Sequence, residues 1–92
     1  IYLSEHDQLT GQMNRARLTD EVSRLLAELK GTQRSAGFLL LAVNDLNLIN
    51  ETYGFDIGDQ VIAVVGARLR NALRGRDQIG RHSSNKFGAV LH

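Results

Sequence analysis

Apolar residues recur at helical spacing in two long segments of the chain. In residues 16–30 they are Leu18, Val22, Leu25, Leu26 and Leu29, and in residues 59–73 they are Ile62, Val65, Leu69, Ala72 and Leu73. An apolar stripe of this width is typical of a helix that covers a core. The pattern therefore predicts two long amphipathic helices, the second capped at its start by Asp59 and ended by Gly75.

The segments between and after these helices predict a strand, a short helix and a hairpin. Residues 37–43 form a continuous apolar run of strand length, as expected for a central strand covered on both faces. Residues 46–53 form a short helical segment that ends at Gly54. Residues 78–81 and 86–91 predict two strands joined by a polar turn at residues 82–85. We expect both long helices to pack on the strand at residues 38–43, with Leu40 and Val65 in the core.

Composition gives no sign of a nucleic-acid or membrane partner. The chain has 92 residues with 11 basic and 10 acidic side chains, a net charge of +1, so it carries no strong field. It has no cysteine, and no apolar run approaches the roughly 20 residues that span a bilayer. We expect one partial domain over residues 1–92, cut from a longer protein because the chain starts at Ile1, and located in the cytoplasm.

Three segments carry the strongest signal of ancestry. They read DQLTGQMNR at residues 7–15, LINETYGFDIGD at residues 48–59 and GRHSSNKF at residues 80–87. In this order they resemble the GGDEF family, the diguanylate cyclases that condense two GTP into cyclic di-GMP. At the five signature positions this chain has Ser83, Ser84, Asn85, Lys86 and Phe87. The resemblance therefore identifies a degenerate member of the family.

The resemblance implies an α+β fold, with the ferredoxin-like sheet and packed helices of the nucleotidyl cyclases and polymerase palm domains. The predicted order of helix, strand, helix, helix and hairpin corresponds to the first part of the family domain. We therefore expect a partial domain that is truncated after the signature hairpin. A sheet edge left without its next strand favours homodimerisation through exposed backbone groups.

The family's metal ligands are missing from the positions where the resemblance places them. Members bind Mg²⁺ through the first Asp of an Asp-x-Asp pair and through the third signature residue. Ala42 and Asn44 stand at the pair, and Asn85 stands at the third signature position. Alanine offers no oxygen, and a neutral amide competes poorly with water for Mg²⁺. Because Lys86 also reverses a charge there, we expect no metal, no cofactor and no catalytic residue.

The resemblance also implies two sets of nucleotide contacts that need no metal. Asn50 and Asp59 stand where the family recognises guanine, and Arg74 with Asp77 fits the Arg-x-x-Asp pattern of its inhibitory product site. Arginine can hold a phosphate bidentately, and a carboxylate can accept from guanine. Each set has a structural alternative, since Asp59 can cap a helix, Asn50 can stabilise its own short helix and Arg74 can favour a helix end.

The entry motif at residues 7–15 is expected to have a structural role. Thr10 and Asn14 can organise a turn and a helix start, and Gln12 stands where the family more often has Leu. The three histidines show no metal-ligand spacing.

These observations predict a catalytically inactive regulatory or interaction module of a cyclic di-GMP signalling protein. It would bind GTP or cyclic di-GMP weakly and be joined to an EAL-type phosphodiesterase domain. One alternative is an active diguanylate cyclase that uses Mg²⁺ and Asp45, although neighbouring residues of a strand point to opposite sides, which would aim Asp45 away. A second alternative is a dimerisation or scaffold module that binds no nucleotide.

Overall fold

The computed structural model describes residues 5–92, and its elements follow the predicted order. They are α1 (Arg15–Leu29), β1 (Gly37–Ala42), α2 (Leu46–Tyr53), α3 (Phe55–Ala72), β2 (Gln78–Ser83) and β3 (Lys86–Leu91). The α+β class is therefore confirmed. No helix within residues 5–92 is long and apolar enough to cross a membrane.

The strands form one antiparallel sheet in the order β1-β3-β2. Within residues 5–92, the apolar run is an edge strand and not the predicted central strand, because β3 lies in the middle of the sheet and β1 at one side. Phe38, Leu39 and Leu40 of β1 are 48%, 49% and 52% exposed. An apolar run of this length indicates a strand, but the neighbours of that strand are chosen by long-range pairing, which periodicity does not report.

One face of the sheet is covered by α1, which lies over a pair of glycines. Gly80 of β2 and Gly88 of β3 are directly opposite each other. A Cβ atom at Gly88 would come within 2.7 Å of Leu18 Cδ2, and one at Gly80 within 3.2 Å of Leu18 Cβ. The absence of side chains at this pair lets α1 approach the hairpin closely. Leu18 is buried there, whereas Leu26, which was expected in the same stripe, is exposed.

The opposite face carries the main apolar cluster. Ile62 of α3 and Phe87 of β3 are each 1% exposed, and they pack with Leu46 and Ile79. Val65 packs against this cluster, as predicted. The main contacts of both long helices with the outer strands are with β2 and not with β1, which corrects the expectation that they would cover residues 38–43.

The junction of α2 and α3 depends on Gly54. This residue ends α2 and precedes α3 with a φ of +93°, a conformation that favours glycine. Its N–H donates to the Asn50 carbonyl at 2.9 Å. Since α3 begins at Phe55, Asp59 lies inside the helix, and its predicted role as the helix cap is wrong.

The two faces of α3 provide a matched test of the core. We expect Ile62→Ala to lower the free energy of unfolding by about 2–5 kcal/mol, because it removes buried methyl and methylene groups. Val64 lies on the same helix but is 52% exposed, so Val64→Ala should change stability by no more than about 0.5 kcal/mol. Urea unfolding followed by circular dichroism measures both. Equal losses in the two variants would contradict the described packing.

A buried carboxylate on α1 makes stability depend on pH. Glu21 is buried and accepts hydrogen bonds from Arg24 Nη2 at 2.7 Å and from Arg17 Nε at 3.1 Å. The bond from Arg24, followed by the bond from Arg17, lowers the pKa of Glu21, although burial opposes this shift. A carboxyl whose pKa is lowered by folding stabilises the protein above its unfolded-state pKa, and that stabilisation is lost as the pH falls through the folded-state value.

We therefore expect Glu21→Gln to lower the melting temperature near neutral pH and to reduce its decline in acid. The measurement is thermal unfolding at a series of pH values from neutral to strongly acidic. Glu28→Gln is the matched control, because Glu28 contacts the same Arg24 on the exposed side of α1. If the melting temperature of Glu21→Gln falls in acid as steeply as that of the unaltered protein, other carboxylates are responsible for the pH dependence.

Candidate functional site

The tip of the signature hairpin is tied to the end of β1 by Asn85. The Val43 N–H donates to the Asn85 carbonyl at 2.8 Å, and Asn85 Nδ2 lies 3.5 Å from the Val43 carbonyl oxygen, to which it donates. An ionised carboxylate has no proton with which to make this second contact. The residue at the third signature position therefore contributes a structural link that an acidic residue could not.

Ala42 and Lys86 lie directly opposite each other on β1 and β3. Directly opposite residues of an antiparallel pair project from the same face of the sheet, so the side chains of Ala42 and Lys86 begin side by side here. Lys86 forms no ion pair with any residue in the range 5–92. Within the same range, no three His, Asp or Glu side chains are placed to share a metal ion. The residues at these positions do not fit Mg²⁺, which requires oxygen ligands.

The hairpin turn is shorter than predicted and does not require glycine. β2 continues to Ser83, which pairs with Lys86, and an irregular step in register separates Arg81 from Ser83. The turn itself consists of Ser84 and Asn85, and neither has a positive φ. Serine can therefore occupy the family's glycine positions without backbone strain.

Asp45 lies beside the hairpin tip and is one of the residues that line a groove there, while the direction of its carboxylate stays a prediction. This hairpin groove has a volume of about 430 Å³ and is lined by Asp45, Leu46, Asn47, Leu48, Ser84 and Asn85. β1 ends at Ala42, so the alternation of a strand no longer applies at Asp45, which has a left-handed φ of +63°. Its carboxylate forms no capping bond to α2. One exposed acidic side chain therefore remains at this groove.

The two residues at the guanine-recognition positions lie on neighbouring helices but do not line one pocket. Asn50 Oδ1 is buried against Gly58, where any Cβ atom would overlap it, and it has no hydrogen-bond partner in the described part of the chain. Asn50 lines a pocket of about 160 Å³ with Asn47, Glu51 and Phe55. Asp59 is exposed and is not among the residues that line it.

Arg74 and Asp77 are brought together in the loop between α3 and β2. The Asp77 N–H donates to the Arg74 carbonyl at 3.1 Å. The Asp77 carboxylate accepts from the Arg74 N–H at 3.5 Å and from the His92 N–H at 2.8 Å. Both residues line a larger space, the loop cavity, with a volume of about 400 Å³. The loop cavity is lined by His6, Gly11, Gln12, Met13, Arg17, Arg70, Leu73, Arg74, Gly75, Asp77, Gln78 and Ile79.

The entry motif forms a hydrogen-bonded turn, as predicted. Asp7 Oδ2 accepts from both the N–H and the hydroxyl of Thr10 at 2.9 Å, and the Asp7 carbonyl accepts from the Gly11 N–H at 2.8 Å. Asn14 caps α1 by accepting from the Arg17 N–H at 2.9 Å. The motif therefore positions the start of α1.

Two further residues connect this turn to the rest of the domain, and sequence reasoning gave them no role. Arg81 Nη1 donates to Asp7 Oδ1 at 3.1 Å, and Arg81 Nη2 donates to the Ser84 carbonyl at 2.9 Å. Gln12 is 4% exposed, and its Nε2 donates to the Gly66 carbonyl of α3 at 2.8 Å. For Gln12, the sequence did contain one indication of a special role, which is a polar residue at a position where the family more often has Leu.

The fold and the hairpin define a domain of the nucleotidyl cyclase class. The chain belongs to the GGDEF family, because the family described as "Diguanylate cyclase, GGDEF domain" matches residues 4–92. Among its relatives is the diguanylate cyclase DgcP of Pseudomonas aeruginosa, with 39% identity over 88 residues, which are 92% of this chain and 13% of DgcP. The response regulator PleD of Caulobacter vibrioides is 35% identical over 93 residues, covering 99% of this chain and 20% of PleD.

A solved structure supports the same assignment. The GGDEF domain of DgcB from Caulobacter crescentus, in complex with c-di-GMP, superposes with a TM-score of 0.91 and 25% sequence identity. The match covers 96% of this chain and 50% of the solved chain. The chain therefore spans half of that GGDEF structure and a fifth or less of the two relatives.

Proposed function

We propose that this chain is a catalytically inactive GGDEF domain that regulates a cyclic di-GMP signalling protein. The observation that carries the proposal is the pairing of Ala42 with Lys86 across β1 and β3. Cyclisation of GTP depends on Mg²⁺ to neutralise the triphosphate, and here a residue with a cationic side chain is paired with the position of a lost ligand. Asn85 cannot replace the lost ligand, since its side chain is neutral and donates to the Val43 carbonyl.

The size of the electrostatic effect favours inactivity. A divalent cation about 4 Å from an ammonium group is disfavoured by roughly 8 kcal/mol at an effective dielectric constant of about 20. Lys86 has a long side chain that can move away, so the repulsion is reduced in solution. Its movement would still supply no oxygen ligand to replace Ala42.

A regulatory role is supported by the loop cavity, which keeps Arg74 and Asp77 beside each other. These side chains can contact a phosphate and a guanine edge without any metal. The similarity to a GGDEF domain solved with c-di-GMP makes cyclic di-GMP the ligand that we favour here. We further propose a cytoplasmic location, and homodimerisation through the exposed edge of β1.

We also propose an EAL-type phosphodiesterase domain in the same protein. Support comes from the cyclic di-GMP phosphodiesterase NbdA of Pseudomonas aeruginosa, which is 27% identical over 85 residues, covering 92% of this chain and 11% of NbdA.

The rival function is an active diguanylate cyclase, which the position of Asp45 favours. Asp45 lines the hairpin groove with Ser84 and Asn85, and its carboxylate is not used to cap α2. A single carboxylate supplies at most two oxygen ligands, whereas Mg²⁺ is octahedral and retains several waters in many sites. The rival therefore requires Asp45 to act with ligands from water and the triphosphate.

We expect the full-length protein that contains this chain to form no cyclic di-GMP from GTP with Mg²⁺ or Mn²⁺. The assay should quantify both cyclic di-GMP and the linear dinucleotide formed by its hydrolysis, so that a phosphodiesterase domain cannot hide a product. Metal-dependent turnover that disappears in Asp45→Asn and persists in Asp56→Asn would establish the rival. Asp56 is a suitable control because it is an exposed carboxylate in the first turn of α3 and does not line the hairpin groove.

We expect nucleotide binding to be weak, with dissociation constants of about micromolar or higher, because no metal shares the phosphate charge. Calorimetric titration should show cyclic di-GMP binding that Arg74→Ala removes and Asp59→Ala leaves unchanged. Any GTP binding through Asn50 and Asp59 should be removed by Asp59→Ala and left unchanged by Arg74→Ala. If neither nucleotide produces heat on titration, the better explanation is a dimerisation or scaffold module that binds no nucleotide.

A further inference from the structure

A second arginine lines the loop cavity outside the Arg-x-x-Asp pattern. Arg70 lies in the last turn of α3, and Arg74 lies just beyond the end of that helix. Both line the same cavity, although only Arg74 belongs to the pattern. The cavity therefore has more cationic side chains than the sequence motif indicates.

The arginines that line this cavity differ in how much of their charge is already neutralised. Arg17 pairs with Glu5 at 2.8 Å and with Glu21 at 3.1 Å. Arg70 and Arg74 form no ion pair with any residue between positions 5 and 92. Two guanidinium groups are therefore free to bind an anion, and a concave site strengthens their combined field.

The anionic side chain of the cavity does not cancel this charge by direct pairing. The Asp77 carboxylate accepts from the backbone N–H groups of Arg74 and His92 and is not salt-bridged to either arginine. This arrangement holds the loop while leaving both guanidinium groups available. It also keeps an acceptor in the cavity for a ligand with N–H groups.

A buried amide in the wall of the cavity has one acceptor without a partner in the part of the chain that the structure describes. Gln12 lines the cavity, is 4% exposed, and has its Nε2 bonded to the Gly66 carbonyl. Its Oε1 has no hydrogen-bond partner within the described residues. A buried acceptor is normally satisfied by protein, water or ligand, and leaving it unpaired costs about 1–3 kcal/mol. The lining thus combines two cations, unpaired within residues 5–92, with the Asp77 carboxylate, which can accept from a base that carries N–H donors.

We propose that Arg70 is a second phosphate-binding residue of the loop cavity and, with Arg74, selects ligands that carry two phosphodiester groups. The inference rests on the proposed binding of cyclic di-GMP at Arg74 and Asp77. A guanidinium group can hold one phosphate bidentately, so two separate groups favour a ligand with two phosphates over a mononucleotide.

The test is calorimetric titration of the full-length protein with cyclic di-GMP and with GMP. Arg70→Ala should weaken cyclic di-GMP binding at least tenfold and weaken GMP binding much less, and Arg70→Lys should recover only part of the loss. Arg68→Ala is the matched control, since Arg68 lies exposed on the same helix and does not line the loop cavity. It removes the same charge and should leave both affinities unchanged. Circular dichroism verifies that each variant is folded.

The outcomes separate this inference from the proposed function on which it rests. Binding that Arg74→Ala abolishes and Arg70→Ala leaves intact would overturn the role of Arg70 while supporting the proposed site. Equal losses in Arg70→Ala and Arg68→Ala would also overturn it, because they would show only a general effect of charge. Failure of the unaltered protein to bind cyclic di-GMP would overturn both.

Discussion

The simultaneous pairing of β3 with β1 and β2 is the constraint on which the rest of the structure depends. It places Ala42 opposite Lys86 at one end of the sheet and Gly80 opposite Gly88 further along. The glycine pair admits α1, while the alternate residues of β3 face α3 and bury Phe87. A slip of one residue in either register would exchange these faces and lose both packing and site geometry.

The type and order of the elements could be predicted because helices and strands leave their periods in the sequence. The order of the strands in the sheet could not be predicted in this way, because β1 pairs with residues that lie far along the chain. The error at Asp59 has another cause, because it followed from a local rule applied across an element boundary. Gly54, which has a positive φ, precedes α3, and the helix begins at Phe55, so the cap rule does not apply at Asp59.

The sequence predicted those residues of the candidate site that belong to a motif. It could not predict which charged side chains would lack an ion-pair partner. Arg74 and Asp77 meet as expected from their spacing, yet nothing in the sequence shows that Asp77 is bonded to the backbone of His92. The proposed contribution of Arg70 is equally invisible in the sequence, because arginine at a helix end is ordinary. Only the arrangement of carboxylates shows that Arg17 is neutralised and Arg70 is not.

The unusual polar residues of this chain have a common physical logic. Asn85 joins the hairpin tip to the backbone after β1, and Gln12 joins the entry turn to α3, each through an amide that can donate and accept. Neither interaction requires a bound ion. A domain with such links can keep the geometry of its hairpin and loop cavity without the metal that holds a cyclase site together. The proposed loss of a cation site and the proposed metal-independent anion site are therefore compatible within one fold, which is what the proposed regulatory module requires.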